Sequence, residues 1–180
     1  RKIYRTKIKF ESNSLGLSSE LSKTDFSITD KKNCAMVINK NNNLEWIEYF
    51  AGIAMGLEGE SNVVKGGYVT MTQYSSLGPV ALLTPWNHPI LILVKKMGAA
   101  LAAGNTCVVK PSELAPVSPL VLAALATEAG LPSGVINVVT GGPHTGAALC
   151  AHPDIHYIDL TGGTGTGRKV AALAGERLVR

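Results

Sequence analysis

Four apolar runs, each followed by a helix-forming segment, dominate the sequence after residue 78. The runs are PVALLT (79–84), TCVVK (106–110), GVINVV (134–139) and IHYIDL (155–160). The segments that follow the runs predict four helices. The first ends at Ala103, and the second spans Ser118 to Ala129 with Pro119 in its first turn. The third spans about 143–151, and the fourth begins near Thr164. Repeated strand-helix units require right-handed crossovers and a parallel sheet covered on both faces. The sequence therefore predicts an α/β fold with an open parallel sheet of the nucleotide-binding type.

The segment before these units predicts one helix and one connector. Apolar residues recur at helical spacing in LEWIEYFAGIAMGLEGE, at Trp46, Tyr49, Phe50, Ile53 and Leu57. This spacing predicts an amphipathic helix that ends at the glycines. The following stretch, VVKGGYVTMTQYSSLG, combines turn signals with short β-prone runs and predicts a hairpin-like connector.

The first quarter of the chain differs in composition from the rest. Residues 1–45 hold nine Lys or Arg against five Asp or Glu, whereas residues 46–180 hold eight of each. The boundary near residue 45 divides a polar, basic N-terminal segment (1–45) from the predicted domain (46–180). Within the segment, the apolar island CAMVIN (34–39) predicts a short strand. We interpret the basic charge as a solvated tail rather than a nucleic-acid arm, because only Tyr4, Phe10 and Phe26 are aromatic in this segment.

The cysteines and the hydropathy pattern bear on the compartment. Cys34, Cys107 and Cys150 form no C-x-x-C pair, and the chain has no N-x-S/T acceptor, so we expect a reducing compartment, the cytoplasm. The most apolar segment, 89–103, contains two lysines and is shorter than a membrane span, so no membrane partner is expected. The chain begins with Arg1 and has no signal pattern, which we interpret as a fragment.

The turns that follow the predicted strands are the place to look for a binding site. TPWNHP, KPSE, TGGP and TGGTGTG should lie at one edge of the sheet, because ligands bind beyond the carboxyl ends of parallel strands. The last turn has glycines at a helix N-terminus, which suits an anion. It departs from a P-loop, because Arg168 replaces the lysine and Val170 replaces the hydroxyl residue. The alternating Gly163, Gly165 and Gly167 also depart from the G-x-G-x-x-G fingerprint. Spacing alone thus indicates only a phosphate-bearing ligand.

Four motifs in order carry a resemblance to a known family. TPWNHP, GNTCVVKPSELAPVSPL, AGLPSGVINVVTG and IDLTGGTGTGRKVA closely resemble the cofactor-binding half of the NAD(P)-dependent aldehyde dehydrogenases, over about residues 46–180. Residues 1–33 show no such likeness. The resemblance implies a truncated Rossmann-like cofactor-binding domain, NAD as cofactor with NADP as an alternative, an aldehyde substrate, and a homo-oligomer when the enzyme is complete.

The asparagine of the first motif has two interpretations. The resemblance implies that the side-chain amide of Asn87 donates to the aldehyde oxygen, where thiolate attack places negative charge; losing such a donor typically lowers the rate about a hundredfold or more. The alternative is that Asn87 caps the following helix. With the surrounding motifs present, we favour the oxyanion donor.

The other motifs imply a cofactor site. Lys110 and Glu113 match residues that bind the adenosine ribose hydroxyls, and Glu113 favours NAD because a carboxylate repels a 2′-phosphate, although Lys110 could accommodate one. A surface ion pair is the alternative for these two residues, and a core position is the alternative for Trp86. Gly163 stands where the family usually has a serine, so one phosphate contact is expected to be missing. The implied cofactor residues are Thr84, Pro85, Trp86, Lys110, Ser112, Glu113, Gly142, Gly146, Thr161, Gly162, Gly163 and Thr164.

We expect no functional role for a possible metal-ligand group or for the cysteines. Cys150, His152, Asp154 and His156 alternate like ligands of zinc, but Pro153 breaks the extended segment that they would need, so we expect no metal site. Cys107 should be buried in a strand, and none of the three cysteines matches the nucleophile of the family.

In the family, the general-base glutamate and the nucleophilic cysteine follow the region that this chain resembles. We therefore expect a chain with a cofactor site and an oxyanion donor but without nucleophile or base. In the complete enzyme, a thiolate would add to the aldehyde, hydride would pass to NAD, and water activated by the glutamate would release the acid. The alternatives are a non-catalytic nucleotide-binding module and, less favoured, a P-loop-like phosphate binder.

Overall fold

The computed structural model of the protein describes residues 40–180. The predicted strand at 34–39 and most of the basic segment lie outside the described residues. The described chain forms α1 (Lys40–Met55), β1 (Ser61–Val64), β2 (Tyr68–Met71), β3 (Pro79–Thr84), α2 (Pro89–Ala102), β4 (Thr106–Pro111), α3 (Val117–Glu128), β5 (Ile136–Val138), α4 (Pro143–Ala151), β6 (Tyr157–Leu160) and α5 (Thr164–Glu176).

The main sheet has four parallel strands in the order β5-β4-β3-β6. The chain proceeds outward from β3 through β4 to β5 and then returns to place β6 on the other side of β3. Such a reversal of direction creates a crevice at the carboxyl ends of the strands, where ligands bind in open α/β sheets. The predicted fold class is confirmed.

Both faces of β3 are buried, as expected for a central strand of a parallel sheet. Val80 and Leu82 pack with residues of α2 and β4 on one face, including Leu93 and Met97. Ala81 and Leu83 pack on the other face with Cys150, Ile155 and partly buried residues of β6 and α5. The alternation along β3 therefore divides the core into two layers of side chains.

Helix α1 packs against α2 through aromatic residues. Phe50 lies so close to Gly98 that a Cβ atom added to that glycine would be 2.5 Å from Phe50 Cδ2. Trp46 lies beneath the ammonium of Lys95, which is 4.5 Å from the ring centroid. The predicted helix is confirmed, but it begins at Lys40, on the N-terminal side of the composition change near residue 45.

The remaining elements follow the sequence pattern with local differences. β1 and β2 form an antiparallel hairpin, as the turn signals at Gly66 and Gly67 predict. β5 is shorter than the predicted run because Gly134, with φ of 85°, and Val135 belong to a turn. Between residues 40 and 180 no helix has the length and hydropathy needed to cross a membrane.

Candidate functional site

Backbone hydrogen bonds bring three of the predicted turns to the same level at the carboxyl edge of the sheet. The N–H of Ser112, just after β4, donates to the carbonyl of Thr84 at 3.0 Å. The N–H of Thr161, just after β6, donates to the carbonyl of Leu83 at 3.1 Å. β3 thus aligns the turns that follow β4 and β6 with its own turn, because its last two carbonyls accept from both neighbours.

A cleft of about 680 Å³ opens at this edge. Most of the residues proposed from the motifs line it: Thr84, Pro85, Trp86, Asn87, Lys110, Ser112, Glu113, Gly146, Thr161, Gly162 and Gly163. Gly142 and Thr164 are next to lining residues in the chain but do not themselves line the cleft. Residues more than 70 positions apart in sequence are therefore assembled around one space.

The Asn87 side chain does not cap the helix that follows it. The N-cap residue of α2 is His88, which makes no side-chain capping bond, and Pro89 occupies the first turn. The Oδ1 atom of Asn87 accepts from the N–H of His88 at 3.1 Å. Because this contact engages the oxygen, it orients the amide and leaves its N–H groups available to donate.

Thr84 places an unsatisfied hydroxyl in the wall of the cleft. The residue is 4% exposed, and its Oγ1 atom has no hydrogen-bond partner within residues 40–180. A buried hydroxyl without a partner is unfavourable by roughly 1–3 kcal/mol, so it indicates that a polar group belongs beside it. Trp86, in the same turn, is 43% exposed, which identifies it as a cleft residue rather than a core aromatic.

Glu113 and Lys110 approach the cleft from the end of β4. The Glu113 carboxylate lies at the start of α4, since its Oε2 atom is 3.2 Å from the position that a Cβ atom on Gly142 would occupy. Within the described residues, neither Lys110 nor Glu113 forms an ion pair with the other or with a third residue. The surface ion pair considered from the sequence is therefore not present, and both charges face the cleft.

The turn before α5 presents backbone N–H groups to the cleft. Gly163 is the N-cap residue, with an extended backbone and no side-chain capping bond. The first intrahelical bond in this turn runs from the N–H of Gly167 to the carbonyl of Gly163 at 3.0 Å. The preceding N–H groups of the first turn have no partner in the helix, and together with the helix dipole they favour an anion.

Several lining residues were not predicted from the motifs. Lys169 is the one that carries charge; the others are small, hydroxyl or apolar residues: Leu83, Pro143, Ala147, Leu160, Thr166, Val170 and Leu173. The spacing of residues 166, 169, 170 and 173 defines one face of α5 and could have identified its lining residues from the sequence. A lysine on a helix is usually solvated, so the position of Lys169 in the sequence gave no reason to place it in the site.

Neither thiol in the described part of the chain suits nucleophilic attack. Cys107 is fully buried in β4, and burial raises the pKa of its thiol to about 12. Cys150 is also fully buried, and burial raises the pKa of its thiol, with a smaller opposing effect from the nearby Arg177 guanidinium. Both groups are neutral thiols at physiological pH, and neither lines the cleft.

The alternating Cys150, His152, Asp154 and His156 do not converge. Cys150 points into the core, whereas the other three side chains are exposed. His152 Nδ1 accepts from the N–H of Asp154 at 3.3 Å, so that ring nitrogen is engaged locally. Over residues 40–180, no three His, Cys, Asp or Glu side chains are grouped as metal ligands.

Comparisons with known proteins bear on this site. The model of the aldehyde dehydrogenase family matches residues 28–180. Hydroxyisobutyraldehyde dehydrogenase from Mycolicibacterium austroafricanum is 47% identical over 136 residues, which are 75% of this chain and 27% of that protein. This chain therefore spans less than a third of that relative's length.

Two solved structures share the fold described above. The NAD⁺ complex of an aldehyde dehydrogenase from Bacillus cereus is 37% identical, with a TM-score of 0.74 over 77% of this chain and 28% of that one. PnpE from Pseudomonas sp. WBC-3 is 43% identical, with the same TM-score over 77% of this chain and 29% of that one.

Proposed function

The chain belongs to the aldehyde dehydrogenase family, and we propose that it supplies the cofactor site and the oxyanion-binding asparagine of an enzyme that oxidises an aldehyde to a carboxylic acid with NAD. Family membership confirms the resemblance carried by the four motifs. The single observation that carries the proposal is the alignment of the turns after β3, β4 and β6 around one cleft by the hydrogen bonds of Ser112 and Thr161.

The residues present fit a nicotinamide dinucleotide. The free N–H groups at the start of α5 suit its diphosphate, and Lys110 and Glu113 can bind ribose hydroxyls. The buried Oγ1 atom of Thr84 lacks a partner among the described residues and would gain one from a polar group of the ligand. NAD bound there would supply a hydride acceptor. The NAD⁺ complex of the Bacillus cereus relative supports this assignment.

Asn87 acts on the aldehyde rather than on the cofactor. Its amide oxygen is held by the N–H of His88, so the N–H groups are oriented before the substrate binds. An oriented donor stabilises the negative charge that develops on the aldehyde oxygen and needs no rearrangement when the charge appears. We infer that Asn87 holds this oxygen while a thiolate bonds to the carbonyl carbon.

The nucleophile is not one of the two described thiols. Cys107 and Cys150 are buried away from the cleft, and their raised pKa values keep them protonated. We infer that the nucleophilic cysteine and the general-base glutamate belong to other parts of the complete enzyme. This also leaves a second candidate, a nucleotide-binding module without catalysis, which the same buried thiols favour.

We further propose that the complete enzyme is a homo-oligomer and resides in the cytoplasm. The hairpin of β1 and β2 exposes large apolar side chains, with Val63 at 83%, Tyr68 at 74% and Met71 at 79%. An exposed patch of this kind suits contact with a second copy of the chain. Unpaired Cys107 and Cys150 are in keeping with a reducing compartment.

Titration calorimetry with NAD on the purified chain tests the cofactor site. We expect saturable binding that weakens about tenfold in Glu113→Ala, because two ribose hydrogen bonds to a charged group are lost. Glu128→Ala, which removes an exposed carboxylate at the end of α3, is the matched control and should bind like the wild type. No binding by a folded chain would exclude the cofactor site.

An aldehyde oxidation assay separates the two candidate functions. Nucleotide binding without turnover by the 180-residue chain fits a cofactor half that lacks its nucleophile. In the complete enzyme, Asn87→Ala should lower kcat about a hundredfold with little change in NAD affinity. An unchanged kcat would remove Asn87 from the reaction, whereas nucleotide binding without any turnover by the complete protein would favour the non-catalytic module.

A further inference from the structure

Helix α5 brings to the cleft a cation, Lys169, that the proposed function does not use. Thr166, Lys169, Val170 and Leu173 all line the cleft. Their spacing of three, four and seven places them on one face of the helix. Lys169 therefore belongs to the face of α5 that lines the cleft, where its side chain is exposed.

The charges in the cleft do not cancel. Its lining contains Lys110, Lys169 and one carboxylate, Glu113. None of the three forms an ion pair within the part of the chain that the structure describes. The helix dipole at the start of α5 adds further positive potential. The lining residues thus carry a net charge of +1, and Lys169 adds to Lys110 a second cation that is available to an anionic group of the ligand.

Glu113 and Lys169 both line the cleft and belong to segments that contact α4. The Glu113 carboxylate lies beside Gly142 at the start of that helix. Helix α4 also packs against α5, whose cleft-facing side carries Lys169. The part of the cleft wall that α4 contributes includes the small residues Gly146 and Ala147, which leave space for a ligand. A group bound at this wall would experience both a repelling carboxylate and an attracting ammonium.

We propose that Lys169 determines cofactor specificity by offsetting Glu113, so that the site accepts NADP as well as NAD. The group that Lys169 recognises is the phosphate on the adenosine ribose, which a lysine binds as a point charge. This inference rests on the proposed cofactor site. It differs from the expectation drawn from the sequence, in which Glu113 by itself tilts the choice toward NAD.

Calorimetric titration of the chain with NAD and with NADP tests this role. The wild type should bind the two nucleotides within about tenfold of each other. Lys169→Ala should weaken NADP binding about fivefold, as expected for the loss of a partly exposed charge contact, and should leave NAD binding within about twofold. Lys169→Arg should retain NADP binding, and added salt should weaken NADP binding more than NAD binding.

The neighbouring Arg168 provides the matched control. It is an exposed cation on the same helix that does not line the cleft, so Arg168→Ala should affect NAD and NADP equally and weakly. An equal loss for both nucleotides in Lys169→Ala would assign Lys169 to the shared diphosphate and overturn the inference. No loss for either nucleotide would overturn it as well. With either result, NAD binding by the wild type would still support the proposed function. If a folded wild-type chain did not bind NAD, the proposed function and the role of Lys169 would both be rejected.

Discussion

The ammonium of Lys96 on α2 forms an ion pair with the carboxylate of Asp159 on β6. The Lys96 side chain is 6% exposed and that of Asp159 is 32% exposed. The two residues are 63 positions apart in sequence, and they join the helix that follows the Asn87 turn to the strand that precedes the glycine turn at 161–163. A nearly buried ammonium is tolerated because a carboxylate faces it.

Asp159→Ala should destabilise the chain, because it leaves the Lys96 ammonium buried without its partner. We expect a loss of about 2 kcal/mol in the free energy of unfolding measured with urea, less than for a fully buried pair because Asp159 is partly hydrated. The double variant Lys96→Met/Asp159→Ala should recover most of this loss, since no charge remains unpaired. Asp154→Ala, which removes an exposed carboxylate, should change stability by less than about 0.5 kcal/mol. An unchanged free energy of unfolding in Asp159→Ala would contradict the ion pair between Lys96 and Asp159.

The contact between Phe50 and Gly98 predicts an unusual effect of alanine in a helix. Replacing an exposed helical glycine by alanine normally stabilises a protein by roughly 0.5–1 kcal/mol. Gly98→Ala should instead destabilise by about 1–3 kcal/mol, because the new Cβ atom would be 2.5 Å from Phe50 Cδ2. Gly52→Ala in α1, where no atom lies within 4 Å of the added Cβ, should be neutral or stabilising in the same urea experiment. Equal effects at both glycines would show that α1 does not pack closely on α2.

The parallel sheet could be predicted because its signals are local. The run PVALLT is bounded by Gly78, with φ of 90°, and Pro85, and β3 has the predicted bounds. Helix α1 begins earlier than predicted, at Lys40, because the three asparagines at 41–43 are weak helix formers and their local propensity gave no helical signal.

The candidate site was predictable where turn residues follow strands. Asn87, Glu113 and Gly163 occupy such turns and line one cleft. The position of Lys169 in the cleft and the ion pair of Lys96 could not be predicted, because both depend on which face of a helix packs against an element distant in sequence. In sequence, Lys96 only interrupts an apolar segment, and Lys169 has the pattern of a solvated helix residue.

Introducing a serine at position 163 should strengthen the turn that precedes α5. A Cβ atom at Gly163 meets no atom within 4 Å, and the residue already has the extended backbone of an N-cap. In Gly163→Ser, the hydroxyl can cap α5, for a gain of a few tenths of a kcal/mol. It can also donate to the diphosphate, which should raise NAD affinity about fivefold by calorimetry. Gly163→Ala adds the carbon without the hydroxyl and should increase neither stability nor NAD affinity. Higher NAD affinity with alanine, or unchanged affinity with serine, would contradict the hypothesis that a serine hydroxyl contacts the diphosphate here.

Burial of Cys107 should make stability depend on pH in the alkaline range. Its folded-state pKa, about 12, lies above the value of 9.0 for an ordinary thiol, so the folded chain holds the proton more tightly than the unfolded chain. The contribution of this thiol is therefore fully present below about pH 9 and is lost as the pH rises toward 12.

Between pH 8 and pH 10, the free energy of unfolding of the wild type should fall by about 1.4 kcal/mol more than that of Cys107→Ala. Comparing the two proteins cancels the titration of lysines and of Cys150, which both retain. Urea unfolding at the two pH values gives the four free energies required, and iodoacetamide at pH 8 should label Cys107 only after unfolding. Parallel pH dependences, or rapid labelling of the folded chain, would mean that the thiol is accessible. The exclusion of Cys107 as a nucleophile would then lose its physical basis.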